Sequence, residues 1–220
     1  MKLWSRWNEL WEAIGGTRDT TTRNRTYARL RGFYSETHRA YHTMAHIESC
    51  LGLLDRSELA HRENRLALEW AIWLHDIVYD PHRTDNEDLS AEQSSLFLGS
   101  GGVGRVFERS TSRLILATKF GYDPKTADEK ILLDIDHSIL GESPHIFDDY
   151  DRAIRQEFSF VPWYAYVAGR RKVLERFRDR QPFFHTEAFR TSDHEQRVIE
   201  NLTRALTRLT THPDPLLHAS

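Results

Sequence analysis

Apolar residues recur at spacings of three and four along most of this chain, the pattern of helices that bury one face. Glycine and proline interrupt the pattern, at the pair 15–16 for example and again at Pro182. No alternating run of β-branched residues is long enough to predict a strand. The sequence therefore predicts an all-α helical bundle of eight to ten helices. The periodic runs lie at about 3–14, 27–34, 47–54, 66–80, 87–97, 105–119, 126–137, 144–158, 162–177 and 192–210.

Length and composition favour one soluble domain. A chain of 220 residues can bury a sizeable core, and we expect a single domain over 1–220, with its core at about 23–180 and the terminal helices packed on it. The net charge of −3 gives no basic stripe, which argues against polymeric nucleic acid as a partner. No apolar run of membrane-spanning length and no leader pattern occurs, so a cytoplasmic protein without a membrane partner is expected.

The cysteine content and a glycine pattern exclude two other kinds of site. Cys50 is the single cysteine, which excludes an internal disulfide and a zinc site built from several thiolates. Gly99, Gly101 and Gly104 satisfy the spacing of a dinucleotide-binding loop, but that loop follows a strand. The residues before Gly99 have a helical pattern instead. The glycines therefore predict a linker that ends a helix.

Two histidine clusters carry the candidate chemistry. His42 and His46 lie four residues apart, so on a helix their imidazoles share a face. His75 and Asp76, called the doublet below, add a nitrogen and a carboxylate oxygen, and the segment 134–136 offers further carboxylates. A divalent transition metal prefers this mixture of donors. The clusters therefore predict a metal site.

Four segments in this order also carry a resemblance to a known family: 41–46, 74–80, 86–87 and 133–141. They resemble the HD superfamily of metal-dependent phosphohydrolases, and more closely a bacterial group of predicted HD phosphohydrolases of about this length. The resemblance covers most of the chain, from about 41 to 171. It implies an HD-domain-like helical fold and hydrolysis of a phosphoester or phosphoanhydride by metal-activated water.

The resemblance implies particular metal ligands. The doublet supplies two, and the late aspartate is Asp136, with Asp134 as the alternative. The segment around His42 and His46 is similar to one in the cyclic-nucleotide phosphodiesterases, whose second histidine binds metal and whose first protonates the leaving oxygen. By that similarity His46 is a ligand and His42 the general acid. Thr43 stands where those enzymes have asparagine, which leaves open which histidine is the ligand.

Further roles follow with less support from the residues. The catalytic set is predicted as His42, Asp76 and Asp80, because Asp76 can bridge a second ion that Asp80 or water completes. A turn before Pro81 explains Asp80 equally well. A helix N-cap and a first-turn acid would account for 86–87 without catalysis. The cations predicted to contact substrate phosphate are Lys119, Arg155 and Arg171.

The expected cofactor is one or two divalent ions of Mn, Mg, Fe, Co, Ni or Zn, and the expected substrate is a small phosphorylated molecule such as a nucleotide. A di-iron oxygenase of the HD type is an alternative, although His82 is the single histidine in 77–133 and such an enzyme needs more. A non-catalytic module that binds a nucleotide or a partner is the other alternative. The tryptophan-rich first helix suggests a homodimer face.

Overall fold

The periodic apolar residues form helices throughout the part of the chain that the computed structural model describes, which is residues 2–56, 62–211, 213–214 and 216. That part contains ten α-helices, one short 3-10 helix and no strand, which confirms the all-α prediction. None of its helices combines the length and the apolar character needed to cross a bilayer.

The chain divides into two compact units at the peptide bond between Ile135 and Asp136. The single domain predicted over 1–220 stays a prediction. The first unit contains α1 (Leu3–Ala13), α2 (Thr20–Phe33), α3 (Met44–Arg56), α4 (Arg62–Leu74), α5 (Asn86–Ser100), α6 (Arg105–Ala117) and α7 (Ala127–Asp136), whose last residue begins the second unit. The second unit continues with the 3-10 helix (His137–Gly141), α8 (Pro144–Glu157), α9 (Trp163–Asp179) and α10 (Ser192–Thr211).

Tryptophans from α1 and α4 form the core of the first unit. Trp7 lies with its ring centroid 5.3 Å from that of Trp70 and 5.6 Å from that of Trp73, and all three are fully buried. Trp11 is buried beside them, so two of the three tryptophans on α1 pack inside this unit. Large aromatic rings supply much of the apolar area that a core buries. This cluster therefore fixes α4, whose C-terminal end leads into the doublet.

The glycine-rich linker behaves as predicted. The helix α5 ends at Ser100, and Gly102 adopts a left-handed backbone with φ of 71° that favours glycine. A Cβ atom at Gly101 would lie 2.9 Å from the indole of Trp11, so the linker passes close against the aromatic core. A helix precedes these glycines, and no strand does.

The prediction that His42 shares a helix with His46 is wrong, because α3 begins only at Met44. The Thr43 hydroxyl accepts a hydrogen bond from the Ala45 N–H, in the manner of an N-cap. The Thr43 carbonyl accepts from the N–H of Ile47, the first bond of the helix. His42 therefore lies in the turn before α3.

The fourth run is also shorter than predicted, because α4 ends at Leu74 and not near Pro81. Side chains from α5 take up the backbone groups that a longer helix would use. The Ser90 hydroxyl accepts from the Val78 N–H and donates to the Val78 carbonyl. The Asn86 amide pairs with both the N–H and the carbonyl of Asp80. The doublet thus lies in a turn, called the ligand turn (75–80) below.

In the second unit, α10 packs closely on the 3-10 helix. The amide of Asn201 donates to the carbonyls of Leu140 and Glu142, each at 2.9 Å. A Cβ atom at Gly141 would lie 2.2 Å from the His194 ring, so this approach requires glycine. The 3-10 helix is therefore held by α10.

Candidate metal centre

Four side chains converge on one point: His46, His75, Asp76 and Asp136. Each offers one ligand atom, and these atoms all lie within 4.8 Å of one another. They come from three places, the first turns of α3, the ligand turn and the last residue of α7. The two histidines are buried and the two aspartates are partly exposed. These are the four residues predicted as metal ligands, and together they can hold a metal ion.

The inner distances suit a shared cation. His46 Nε2 lies 3.3 Å from His75 Nε2, and Asp76 Oδ2 lies 3.6 Å and 3.0 Å from these two nitrogens. Two imidazole nitrogens and a carboxylate oxygen so close together, mostly out of water, are stabilised by a positive charge placed among them. The donor set of two nitrogens and two carboxylates fits a divalent transition ion.

The backbone sets the tautomer of His75. Its Nδ1 lies 3.0 Å from the carbonyl oxygen of Ile72, and a carbonyl can only accept, so the Nδ1–H donates. The lone pair on Nε2 then points into the group, which is the arrangement that metal-binding histidines commonly have. His46 is packed differently, with the sulfur of Cys50 3.7 Å from its Nδ1 and the ring of Tyr41 4.8 Å away between centroids.

His42 lies next to this group and outside it. Its ring stacks on Tyr79 with centroids 3.9 Å apart, and its centroid is 6.1 Å from that of His46. Of the two upstream histidines, the structure thus brings His46 into the group and leaves His42 on its border. The predicted role of His42 as an acid stays a prediction.

The two other aspartates considered for the site take different positions. Asp134, the alternative late ligand, is fully buried on α7 and is not one of the four. Asp80 is partly exposed, and its Oδ1 accepts from the backbone N–H of His82 at 2.9 Å, with the His82 ring equally close. These bonds to His82 lower the pKa of Asp80. The structure thus shows the turn before Pro81, and a catalytic role for Asp80 stays a prediction.

Two of the predicted phosphate-binding cations lie on accessible surfaces. Lys119 follows α6, and its Nζ lies 2.7 Å from a carboxylate oxygen of Asp88. Arg171 lies on α9, 3.5 Å from Glu175. Pairs of this kind on the surface are weak, so an anionic ligand can compete for either cation. Both residues keep their predicted role as an expectation.

Arg155 has a different environment within the second unit. It is buried on α8, and its guanidinium makes a two-pronged ion pair with Asp214 at 3.0 Å and 2.6 Å. That pairing lowers the pKa of Asp214. The guanidinium also lies over the ring of Tyr166, 4.8 Å from its centroid. Its contacts are those of a residue that stabilises the unit, and its role toward substrate stays a prediction.

The structure adds residues that sequence reasoning did not find. Asn86 was interpreted as a helix cap, but it is the first residue of α5, and its amide instead holds the backbone of Asp80. Ser90 and Arg39 hold other parts of the ligand turn. The sequence offers no periodic signal for side chains that bond to a distant backbone.

Glu87 is a carboxyl group in the first turn of α5 whose environment opposes its charge. Burial raises its pKa, and the nearby charge of Asp76 raises it further. A carboxyl group with a raised pKa in the folded state makes the fold less stable as the pH rises through that pKa, because ionisation is easier in the unfolded chain.

We therefore expect Glu87→Gln to raise the melting temperature of the metal-free protein at pH 7 by about 2 °C, a typical response for this chain length. The difference should vanish below about pH 4, where an unfolded glutamate is protonated too. Thermal unfolding in a chelator at both pH values measures it. Glu92→Gln, an exposed glutamate on the same helix, is the control. An equal gain in both variants, or a gain that persists at low pH, would contradict the expectation.

Two histidines and two aspartates meet at one point in the fold, and these side chains alone identify it as a candidate metal centre. No family model, no curated protein and no solved structure matches the chain.

Proposed function

We propose that the chain is a metal-dependent phosphohydrolase that cleaves a phosphoester or phosphoanhydride bond of a small molecule such as a nucleotide. The convergence of His46, His75, Asp76 and Asp136 carries this proposal. Four protein ligands of this type leave coordination positions for water and for a phosphoryl oxygen on an ion that accepts five or six ligands. The same residues are those that the resemblance to the HD superfamily implies.

A bound divalent ion supplies the nucleophile near neutral pH, because it lowers the pKa of a coordinated water. The chain's own part begins with the two histidines, whose Nε2 atoms are 3.3 Å apart and so fix where that ion sits. Burial of both rings excludes bulk water from that side. The side chain of Asp76 is 18% exposed, against 3% for His46. The group is therefore open toward solvent and substrate on the side of Asp76.

His42 is the proposed general acid. The oxygen of water forms a bond to phosphorus and one proton of that water passes to solvent, the bond from phosphorus to the leaving oxygen breaks, and the imidazolium of His42 gives its proton to the leaving oxygen. Stacking on Tyr79 holds the ring beside the metal group without placing it among the ligands. Histidine is the residue type most often used as a general acid or base, which suits this role.

Lys119 is the cation that we propose for substrate phosphate in the first unit. Its ammonium group lies against Asp88 in the first turn of α5, next to Glu87 in sequence. A charged phosphoryl group can draw the ammonium from this surface carboxylate, because fixed cations stabilise charge on phosphoryl oxygens. Arg171 is a second candidate on the same reasoning.

The test is a hydrolysis assay of the purified full chain against nucleoside mono-, di- and triphosphates and simple phosphomonoesters. Each is tried with Mn, Mg, Co, Ni, Fe or Zn added after chelation. We expect phosphate release that disappears with the chelator and returns with at least one ion. Release that is indifferent to the metal would contradict the proposal. Consumption of oxygen with iron alone would instead favour an oxygenase, and a folded chain that binds no ion would favour a non-catalytic module.

A further inference from the structure

Arg39 is a buried cation beside the metal centre. It lies in the short segment between α2 and α3, and its side chain is 0% exposed. Its guanidinium lies 5.1 Å from the ring centroid of Tyr34 and 5.6 Å from that of Tyr79. The carboxylate of Glu36 accepts from its Nε at 2.9 Å. A charge so fully removed from water is costly unless its donors are satisfied, so the remaining bonds define what Arg39 does.

Those remaining bonds all go to backbone carbonyls of the two segments that border the centre. Nη1 donates to the carbonyl of His42 at 3.0 Å and to that of Asp76 at 2.7 Å. Nη2 donates to the carbonyl of Ile77 at 2.9 Å. One planar group therefore ties the turn before α3 to the ligand turn.

These carbonyls need such a donor. The carbonyls of Asp76 and Ile77 lie beyond Leu74, the last residue of α4, and both accept from the guanidinium of Arg39. Asp76 is itself one of the four converging residues, and the position of its backbone decides where its carboxylate points. Ligands held within about half an ångström of the positions that the ion requires bind it more tightly than loosely held ones. Groups that hydrogen-bond to the ligand residues commonly provide that restraint.

Direct contact of Arg39 with substrate does not fit its position. The side chain has no exposed surface, and its bonds run to Glu36 and to backbone oxygens. Lysine cannot replace it, since a single ammonium nitrogen cannot reach carbonyls in two segments with the fixed fork of a guanidinium.

We propose that Arg39 is a positioning residue for the metal centre, which fixes the ligand turn against the segment that carries His42. This inference rests on the metal centre of the proposed function. Arg39 is not itself a ligand. It fixes the position of Asp76 by holding the backbone carbonyl of that residue.

The test is a titration of the chelated full chain with Co²⁺, which reports affinity and, through its visible absorption, the geometry of the ligands. We expect Arg39→Lys to weaken Co²⁺ binding by about 10- to 100-fold and to change the absorption spectrum. Arg6→Lys is the matched control. Arg6 is also buried in the first unit and bonds Glu69 and Asp55, which are not ligands, so its variant should keep the affinity and spectrum of the wild type.

The outcomes separate this inference from the proposed function. His75→Ala that binds Co²⁺ like the wild type would overturn the metal centre itself. If His75→Ala loses the ion while folded Arg39→Lys keeps full affinity and spectrum, or if Arg6→Lys loses as much, the inference about Arg39 is overturned alone. Should Arg39→Lys fail to fold, Glu36→Ala decides, because it removes the oxygen that accepts from Nε and leaves the cation in place. A wild-type titration of Glu36→Ala would then overturn the inference.

Discussion

His75→Ala is expected to abolish tight binding of a divalent ion and to lower phosphate release by about 10³-fold or more. The ring of His75 is buried, its Nδ1–H is committed to the Ile72 carbonyl, and its Nε2 is 3.0 Å from Asp76 Oδ2. Loss of one of four ligands therefore removes both the ion and the nucleophile that depends on it.

Two measurements check this expectation, metal content after desalting and the rate with the best substrate. His145→Ala is the control, because this histidine is exposed on α8 and its ring lies 3.1 Å from the hydroxyl of Ser143. It should keep full metal content and rate. Circular dichroism shows whether both variants are folded. A folded His75→Ala that retains a full equivalent of metal would contradict the assignment of the centre.

His42→Ala is expected to keep its metal and to lose kcat by about 10²- to 10⁴-fold, the usual effect of removing a general acid. The reason is the position of His42, stacked on Tyr79 at the border of the group and not within it. His46→Ala should behave in the opposite way and lose the ion, since His46 Nε2 is 3.3 Å from His75 Nε2.

The pH profile and the leaving group give this prediction its sharpest test. An acid must be protonated to act, so wild-type kcat should fall as the pH rises above the pKa of His42, and the variant should lack that fall. With 4-nitrophenyl phosphate, whose leaving group needs little protonation, the loss in His42→Ala should be much smaller. Metal retained by His46→Ala and lost from His42→Ala would reverse the two roles.

The two histidine clusters were predictable as a metal site because metal chemistry restricts residue type. Histidine and aspartate are among the few side chains that bind a transition ion. The choice of His46, the doublet and Asp136 came from the resemblance to the HD superfamily, which left His42 and Asp134 as alternatives, and the structure brings the first four together. Helices were predictable for a similar reason, since burial of one face imposes a period on the sequence. Each of these signals is local or belongs to a single residue.

The ends of the helices near the site were not predictable in this way. The doublet was expected on a helix, but α4 ends at Leu74, and Ser90 and Asn86, both on α5, bond to the backbone of the turn that follows. Bonds of this kind depend on the tertiary fold and leave no period in the sequence. The same holds for the turn that keeps His42 off α3.

Arg39 is the clearest example of a site residue that the sequence could not predict. The chain has 30 lysines and arginines, and nothing in a polar segment distinguishes a buried cation such as Arg39 from the exposed ones. Its proposed role follows from three carbonyl oxygens that are close only after folding, those of His42, Asp76 and Ile77. Residue type alone predicts a solvated surface cation for such a position.

The uneven placement of the tryptophans determines what intrinsic fluorescence reports. Five of the six lie in the first unit, four of them in its buried cluster, and Trp163 on α9 is the sixth. Emission during unfolding therefore follows the unit that contains His46, His75 and Asp76, whereas circular dichroism follows the helices of both units. Recorded together with and without metal, the two signals show whether bound ion stabilises the whole chain or the tryptophan-rich unit alone.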